Sequence, residues 1–480
     1  MVGTTHAATL GDTAAVEQSQ SDDVDARCYS TSFDLHVPLD ACVQSDTSRS
    51  CYRYDADGVL RQITENSDGE PQGSSTCSDV IHCWPLRRST GCYAVGVTPV
   101  DELATLLKPS GGGVFLLSTG RAEQVAVQKR LYAGELNRPG SPALDDEAAI
   151  HGAFVARLHR IGEARGFLLG APSDIGAGYR RGANLGPWGI RQALLSERPD
   201  WPGELAALGV LDIGDVFVVP QLLHDDSLSE SQRAASAAAL YPHVDAIVRA
   251  TLPVSPLSIL ERTIDLVFSI NPRIIPLVMG GDHSNAWPVT AALGKIRPRG
   301  SFAIVQPDAH TDLLSERLGI KYCFATWSYH ANELMGRGGR MVQVGIRATR
   351  YDRGHWERAL GVRQFWADEC RRDPAATLDA IEAHVRSLNV DGVYFSNDID
   401  GTDESWASAT GTPEAAGLEP SFVLELIRRL GRFTKIIAGD VMEVAPPLGP
   451  TPADADRTCK LAASYLRETM YAALGAPPPA

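Results

Sequence analysis

Gly280–Asp312 reads GGDHSNAWPVTAALGKIRPRGSFAIVQPDAHTD. It sets His283, Asp308, His310 and Asp312 at the ends of two short apolar runs, PLVM before GGDHS and FAIVQ before the DAHTD segment. AWPVTAALGKI lies between them at helical spacing, so the stretch reads as strand, helix, strand. Along an extended chain side chains repeat every second residue, so Asp308, His310 and Asp312 are expected to point the same way.

The same alternation continues on both sides. Upstream, GFLLG (Gly166 to Gly170) has the apolar run of a buried strand, LDIGDVFVV is a second strand, and SLSESQRAASAAALYPHVDAIVRATL reads as one long helical region. Downstream, MVQVGI, VDGVYFS and TKIIAGD are strands, with helices near Pro374 to Leu388 and Pro420 to Leu430 and a closing helix ADRTCKLAASYLRETMYAAL. Such alternation argues for an α/β protein with a mostly parallel sheet and helices on both faces. A glycine-rich loop, PSDIGAGYRRGANLGPWG, follows the first strand, but it has neither the Walker spacing nor a Rossmann fingerprint, which weighs against phosphate binding.

Ligands of open parallel sheets bind at the carboxyl ends of the strands. GGDHS, DAHTD, SNDID and DVMEVAPP each fall just past a strand, so four strands deliver acids and histidines to one edge. One aspartate at a strand end is ordinarily a helix cap or a loop hydrogen-bonder. The group His283, Asp308, His310, Asp312, Asp398 and Asp400 is different, because that many acids packed together without a cation would raise one another's pKa at a cost of several kcal/mol. Four carboxylates with two imidazoles suit Mn²⁺ or a similar divalent ion better than a thiolate zinc site. Six ligands exceed the needs of one catalytic ion and fit a pair about 3.5–4 Å apart.

The 480 residues allow more than one domain. Lys and Arg number 44 against 59 Asp and Glu, and the net charge of −15 argues against nucleic-acid or anionic-membrane partners. No apolar run reaches the roughly 18 residues that span a bilayer. The first thirty residues lack the basic start and apolar core of a secretory signal, so a cytoplasmic protein is expected. Six of nine cysteines (Cys28, Cys42, Cys51, Cys77, Cys83, Cys92) lie in the first 92 residues without a CxxC pair. Reduced thiols are the leading reading, with disulfides or an irregular metal site as alternatives. Residues 1–90 read as an irregular extension carrying β-like pieces such as SFDLHV and CYRYD, 91–150 as a small α/β segment and linker, and 151–480 as the main domain.

GGDHS, DAHTD and SNDID, in that order and followed by GDVMEVAPP, resemble the ureohydrolase family of arginases, agmatinases, guanidinobutyrases and formiminoglutamases, over roughly Gly166 to Leu474. The resemblance implies a three-layer α/β/α sandwich and a binuclear centre of two divalent ions, manganese first, with nickel the alternative because a nickel-using branch hydrolyses free guanidine. It implies His283 on one ion and His310 on the other, Asp308 and Asp398 as bridges, and Asp312 and Asp400 each completing one side. Activated hydroxide would attack the guanidinium carbon, Asp312 would carry the proton to the leaving nitrogen, and Glu443 would pair with the guanidinium. A trimeric or hexameric homo-oligomer is expected on the same ground.

Two departures from the family pattern bear on substrate. A His-Gly pair is expected ten to thirteen residues after DAHTD; here the window reads YCFATW, with Phe324 and Ala325 in the slot. Either His330 reaches in from the next turn or the role is filled otherwise. Asp403-Glu404 replaces the usual Asp-Pro, and ESWASATGTPEAAGL brings in Trp406. Phe324, Trp327, Trp406 and Trp287 are candidates to line the mouth of the site, core packing being the alternative for each. An aromatic mouth would favour guanidine or a short guanidino acid over arginine or agmatine. A formimino or other amidine hydrolase, and a non-catalytic member, are the competing readings.

Overall fold

The computed structural model describes residues 41–45, 48–54 and 60–65 of the first ninety, then 97–113, 121–137, 145–178 and 180–476. The chain divides into two compact units, Met1–Thr90 and Gly91–Ala480. In the first, strands β1 (Ala41–Ser45), β2 (Ser48–Tyr54) and β3 (Leu60–Glu65) form an antiparallel sheet in that order. Cys42 sits opposite Cys51 in its register. Most of CYRYD is thus strand, whereas SFDLHV and Cys28, Cys77, Cys83 and Cys92 lie outside the described residues.

The second unit is built on a nine-stranded sheet. Its strands are β4 (Leu107–Lys108), β5 (Gly166–Ala171), β6 (Val210–Val216), β7 (Ile275–Gly280), β8 (Phe302–Pro307), β9 (Met341–Ile346), β10 (Arg363–Trp366), β11 (Gly392–Asp398) and β12 (Ile436–Met442). Their order is β10-β9-β8-β11-β12-β7-β5-β6-β4. Every pairing is parallel except that of the edge strand β4 with β6. β5, β6, β8, β9, β11 and β12 are buried along their whole length, as strands covered on both faces must be. The expected α/β architecture is what forms, and the topology gives it a consequence. β8, β11, β12 and β7 are consecutive neighbours, so the four motif-bearing strand ends lie side by side.

The long helical region divides into helices Glu230–Leu240 and Ala246–Arg249, the break falling at Tyr241-Pro242, where proline cannot continue the backbone ladder. Sequence reasoning did not place the helices Pro256–Ile270 and Trp327–Met335 or the short strand β10. The described parts of the 91–150 segment belong to the same compact unit as the main body. Helix Pro99–Leu106 runs directly into β4. Ser110 Oγ then donates to Asp212 at 3.1 Å and the Gly111 N–H to Asp215 at 2.6 Å. Both carboxylates are gripped by the fully buried Arg191 guanidinium. Removing one partner from such a cluster leaves an uncompensated buried charge, so it fixes this segment firmly.

Candidate metal centre

β7 ends at Gly280, and the next residue must be glycine because a Cβ on Gly281 would collide with the Ser173 carbonyl oxygen. That close approach lets the Asp282 N–H bond to the same carbonyl, and Asp282 caps the turn His283–Asn285 by accepting from the Ser284 N–H at 2.8 Å. His283 is thereby held over the sheet edge. Its Nδ1 lies 2.9 Å from Asp398 Oδ2, 3.2 Å from Asp308 Oδ2 and 3.5 Å from Asp312 Oδ2. Its Nε2 is 3.1 Å from Ser396 Oγ, which in turn donates to the buried Asp440. Tyr394 also donates to Asp440. Sequence reasoning missed this support, although Asp440 lies in the quoted GDVMEVAPP.

His310 Nδ1 is 3.1 Å from Asp400 Oδ2 and 3.7 Å from Asp308 Oδ1. Asp400 Oδ2 accepts from Thr412 at 2.8 Å and its Oδ1 from the Ala309 N–H at 3.2 Å. Two potential metal groups result, His283–Asp308–Asp398 and Asp308–His310–Asp400. Asp308 belongs to both, one oxygen facing each histidine. The DAHTD segment does not alternate as an extended chain would. The strand ends at Pro307, and Asp312 has φ of 51°, in the left-handed region that few residues other than glycine, asparagine and aspartate occupy. Asp312 reaches the cluster by that turn, not by extended-chain periodicity.

The electrostatics match a cation site. Burial alone would lower the pKa of both histidines, yet Asp308 and Asp398 around His283, and Asp400 and Asp308 around His310, drive them up. Burial pushes Asp312 and Asp398 well above the carboxylate range, and the neighbouring acids add to it. For Asp308 burial acts the same way, but the two imidazoles beside it, His283 and His310, win and hold it low. His283 Nδ1, buried amid three carboxylates, has no hydrogen-bond partner. A nitrogen lone pair and several carboxylates converging on one point is the donor set of a divalent ion.

Residues 164–472 match the arginase family profile. The chain belongs to the arginase family. It is accordingly a metal-dependent ureohydrolase. It is 32% identical to the guanidinobutyrase of Pseudomonas aeruginosa over 63% of this chain and 84% of that protein. It is 34% identical to the mitochondrial agmatinase of Gallus gallus over 58% of this chain and 73% of that one. The solved structure of Bacillus subtilis formimidoylglutamase shares the fold, with a TM-score of 0.50 and 20% identity over 65% of this chain and 88% of that one.

The remaining site residues of this arginase-family chain fall in different places. Glu443, at φ 61°, is buried beside the cluster and accepts the His283 N–H at 3.0 Å. Burial and then Asp282 raise its pKa well above the usual range. Phe324 is half-buried, its N–H bonded to the Gly176 carbonyl of the glycine-rich loop and its ring 4.9 Å from the Arg317 guanidinium.

The mouth candidates Trp327 and Trp406, and His330, have the following surroundings. Trp327 is fully buried, with its indole N–H spent on Asp312 Oδ2 at 3.0 Å, so it supports a ligand from beneath. Trp406 is 43% exposed and bonds Glu419 at 3.1 Å, without a hydrogen bond or ring contact to the cluster among the described residues. His330 is packed among Trp287, Tyr322 and Tyr329 and bonded to the Lys321 carbonyl at 3.0 Å. The His330 ring is thus engaged by side chains and a carbonyl outside the six candidate ligands.

Proposed function

We propose that this chain hydrolyses a C–N bond of a guanidino compound to urea and an amine or ammonia, and that guanidine or a short guanidino acid is preferred to arginine or agmatine. The observation that carries the reading is one carboxylate, Asp308, shared by two His–Asp groups, with Glu443 bonded to the backbone of His283. Relatives named guanidinobutyrase and agmatinase support the substrate class.

His283, Asp308, Asp312 and Asp398 would hold one ion and His310, Asp308 and Asp400 the other. Two divalent ions, manganese or nickel, supply Lewis acidity and lower the pKa of water when bound. Glu443 binds and orients the substrate: a guanidinium entering beside it ionises the carboxylate and holds the planar carbon through charge-assisted hydrogen bonds. Asp312, buried and steadied by Trp327, would take a proton from the attacking water and hand it to the leaving nitrogen. The preference for a small substrate rests on Phe324, which stands where a histidine is expected and faces the glycine-rich loop. A cytoplasmic homo-oligomer, trimer or hexamer, completes the proposal.

The test offers guanidine, guanidinoacetate, guanidinopropionate, guanidinobutyrate, agmatine, arginine and formiminoglutamate to protein loaded with Mn²⁺ or Ni²⁺. Urea, released fastest from guanidine or a short guanidino acid, is expected. Formamide from formiminoglutamate alone, or no product with metal demonstrably bound, would overturn the reading.

A further inference from the structure

Three buried glutamines lie side by side on adjacent strands: Gln306 on β8, Gln343 on β9 and Gln364 on β10, each wholly inaccessible to solvent. Gln343 is in register with both of the others. Their side chains form a continuous hydrogen-bonded line. The Trp366 indole N–H donates to Gln364 Oε1 at 3.1 Å, Gln364 Nε2 to Gln343 Oε1 at 2.9 Å, and Gln343 Nε2 to Gln306 Oε1 at 3.0 Å. Gln306 Nε2 then donates to Asp308 Oδ2 at 2.6 Å.

The direction of this line is dictated by chemistry. An indole N–H can only donate and an ionised carboxylate can only accept, so every amide between them has to present its oxygen toward Trp366 and its NH₂ toward Asp308. Ser328 Oγ and the Thr311 carbonyl, at 2.9 and 2.6 Å, engage Gln306 and Gln343 in the same sense. At the far end Asp308 is pinned twice, Oδ2 by Gln306 and Oδ1 by the His310 N–H at 2.6 Å. Both donors are neutral, so they fix the carboxylate plane without neutralising its charge. Aligned amides polarise one another, which strengthens the last bond.

We propose that Gln306, Gln343 and Gln364 are a positioning relay that holds the shared carboxylate Asp308 in the orientation needed to serve two ions at once. The relay rests on the binuclear reading above. It acts through Asp308 and touches neither substrate nor reacting atoms, and it makes the hold on two ions depend on an amide two strands away.

The full-length chain and its Gln306→Met and Gln364→Met variants are titrated with Mn²⁺ against a competing chelator, bound ions per chain are counted, and the spin coupling of the bound Mn²⁺ is followed by EPR. The unsubstituted chain binds two coupled ions. Gln306→Met weakens the second ion by about 10- to 100-fold and loses the coupled signal, the usual size of effect when a support of a ligand is removed. Gln364→Met, two hydrogen bonds further out, weakens it by about 3-fold through lost cooperativity. Two coupled ions bound with unchanged affinity in both folded variants would overturn the relay. If Gln306→Met does not fold, Gln364→Met decides alone, unchanged affinity being the overturning result. An unsubstituted chain that binds fewer than two ions would instead overturn the binuclear reading.

Discussion

Trp327 Nε1 donates to Asp312 Oδ2 at 3.0 Å while its ring lies 4.5 Å from the His283 imidazole. One buried side chain thus orients the proposed proton carrier and walls in a ligand. Trp327→Phe keeps an aromatic ring and removes the donor. We expect kcat to fall about tenfold, the worth of one hydrogen bond to a charged group, with KM little changed and both ions retained. Steady-state kinetics with metal analysis checks this, and an unaltered kcat would contradict it.

Glu443→Gln keeps the shape of the side chain and its bond from the His283 N–H but removes the charge that faces a guanidinium. The expected result is full metal content with kcat/KM reduced by about 100-fold, the scale of a lost charge-assisted contact. Loss of metal in this variant would contradict the substrate-side role.

Ser396→Ala deletes the only hydrogen-bond partner that the described residues give the outer nitrogen of His283. The imidazole then loses its link to Asp440 and its fixed orientation. Metal affinity is expected to drop by about 10- to 100-fold, measurable by competition with a chelator. Wild-type affinity in Ser396→Ala would show that packing against Trp327 alone orients the ring.

Most of the candidate ligand set is legible in the sequence because each motif is local, a strand followed at once by acids and histidines, and parallel strands put such ends on one edge. What brings them together is not local. The order β8-β11-β12-β7 depends on crossovers that no short window contains, and the left-handed turn at Asp312 breaks the alternation that an extended chain would have. The surroundings of Trp327 and His330 depend in the same way on segments far off in the chain, His283 lying against the first and Trp287 against the second. Gln306, Gln343 and Gln364 are single polar residues in otherwise apolar strands, and nothing in those runs says that they will be neighbours.

Metal binding should depend on pH with a definite sign. Against the downward pull of burial, the facing carboxylates raise His283 and His310, and burial raises Asp312 and Asp398, so without metal these groups hold protons that the ions must displace. Affinity therefore rises as pH rises, by about tenfold per pH unit for each proton released. Calorimetry in buffers of different ionisation enthalpy counts those protons. A dissociation constant that does not change between about pH 6 and 8 would contradict the assignment of these groups as ligands.

The central claim is that Asp308 is shared by two metal groups, and counting ions per chain in Asp308→Ala tests it most directly. Loss of a ligand belonging to one group alone would leave the other group intact. Loss of a shared ligand takes away both, so the unsubstituted chain should hold two ions and the folded Asp308→Ala chain none, with no turnover. An Asp308→Ala chain that still holds two ions would contradict the account.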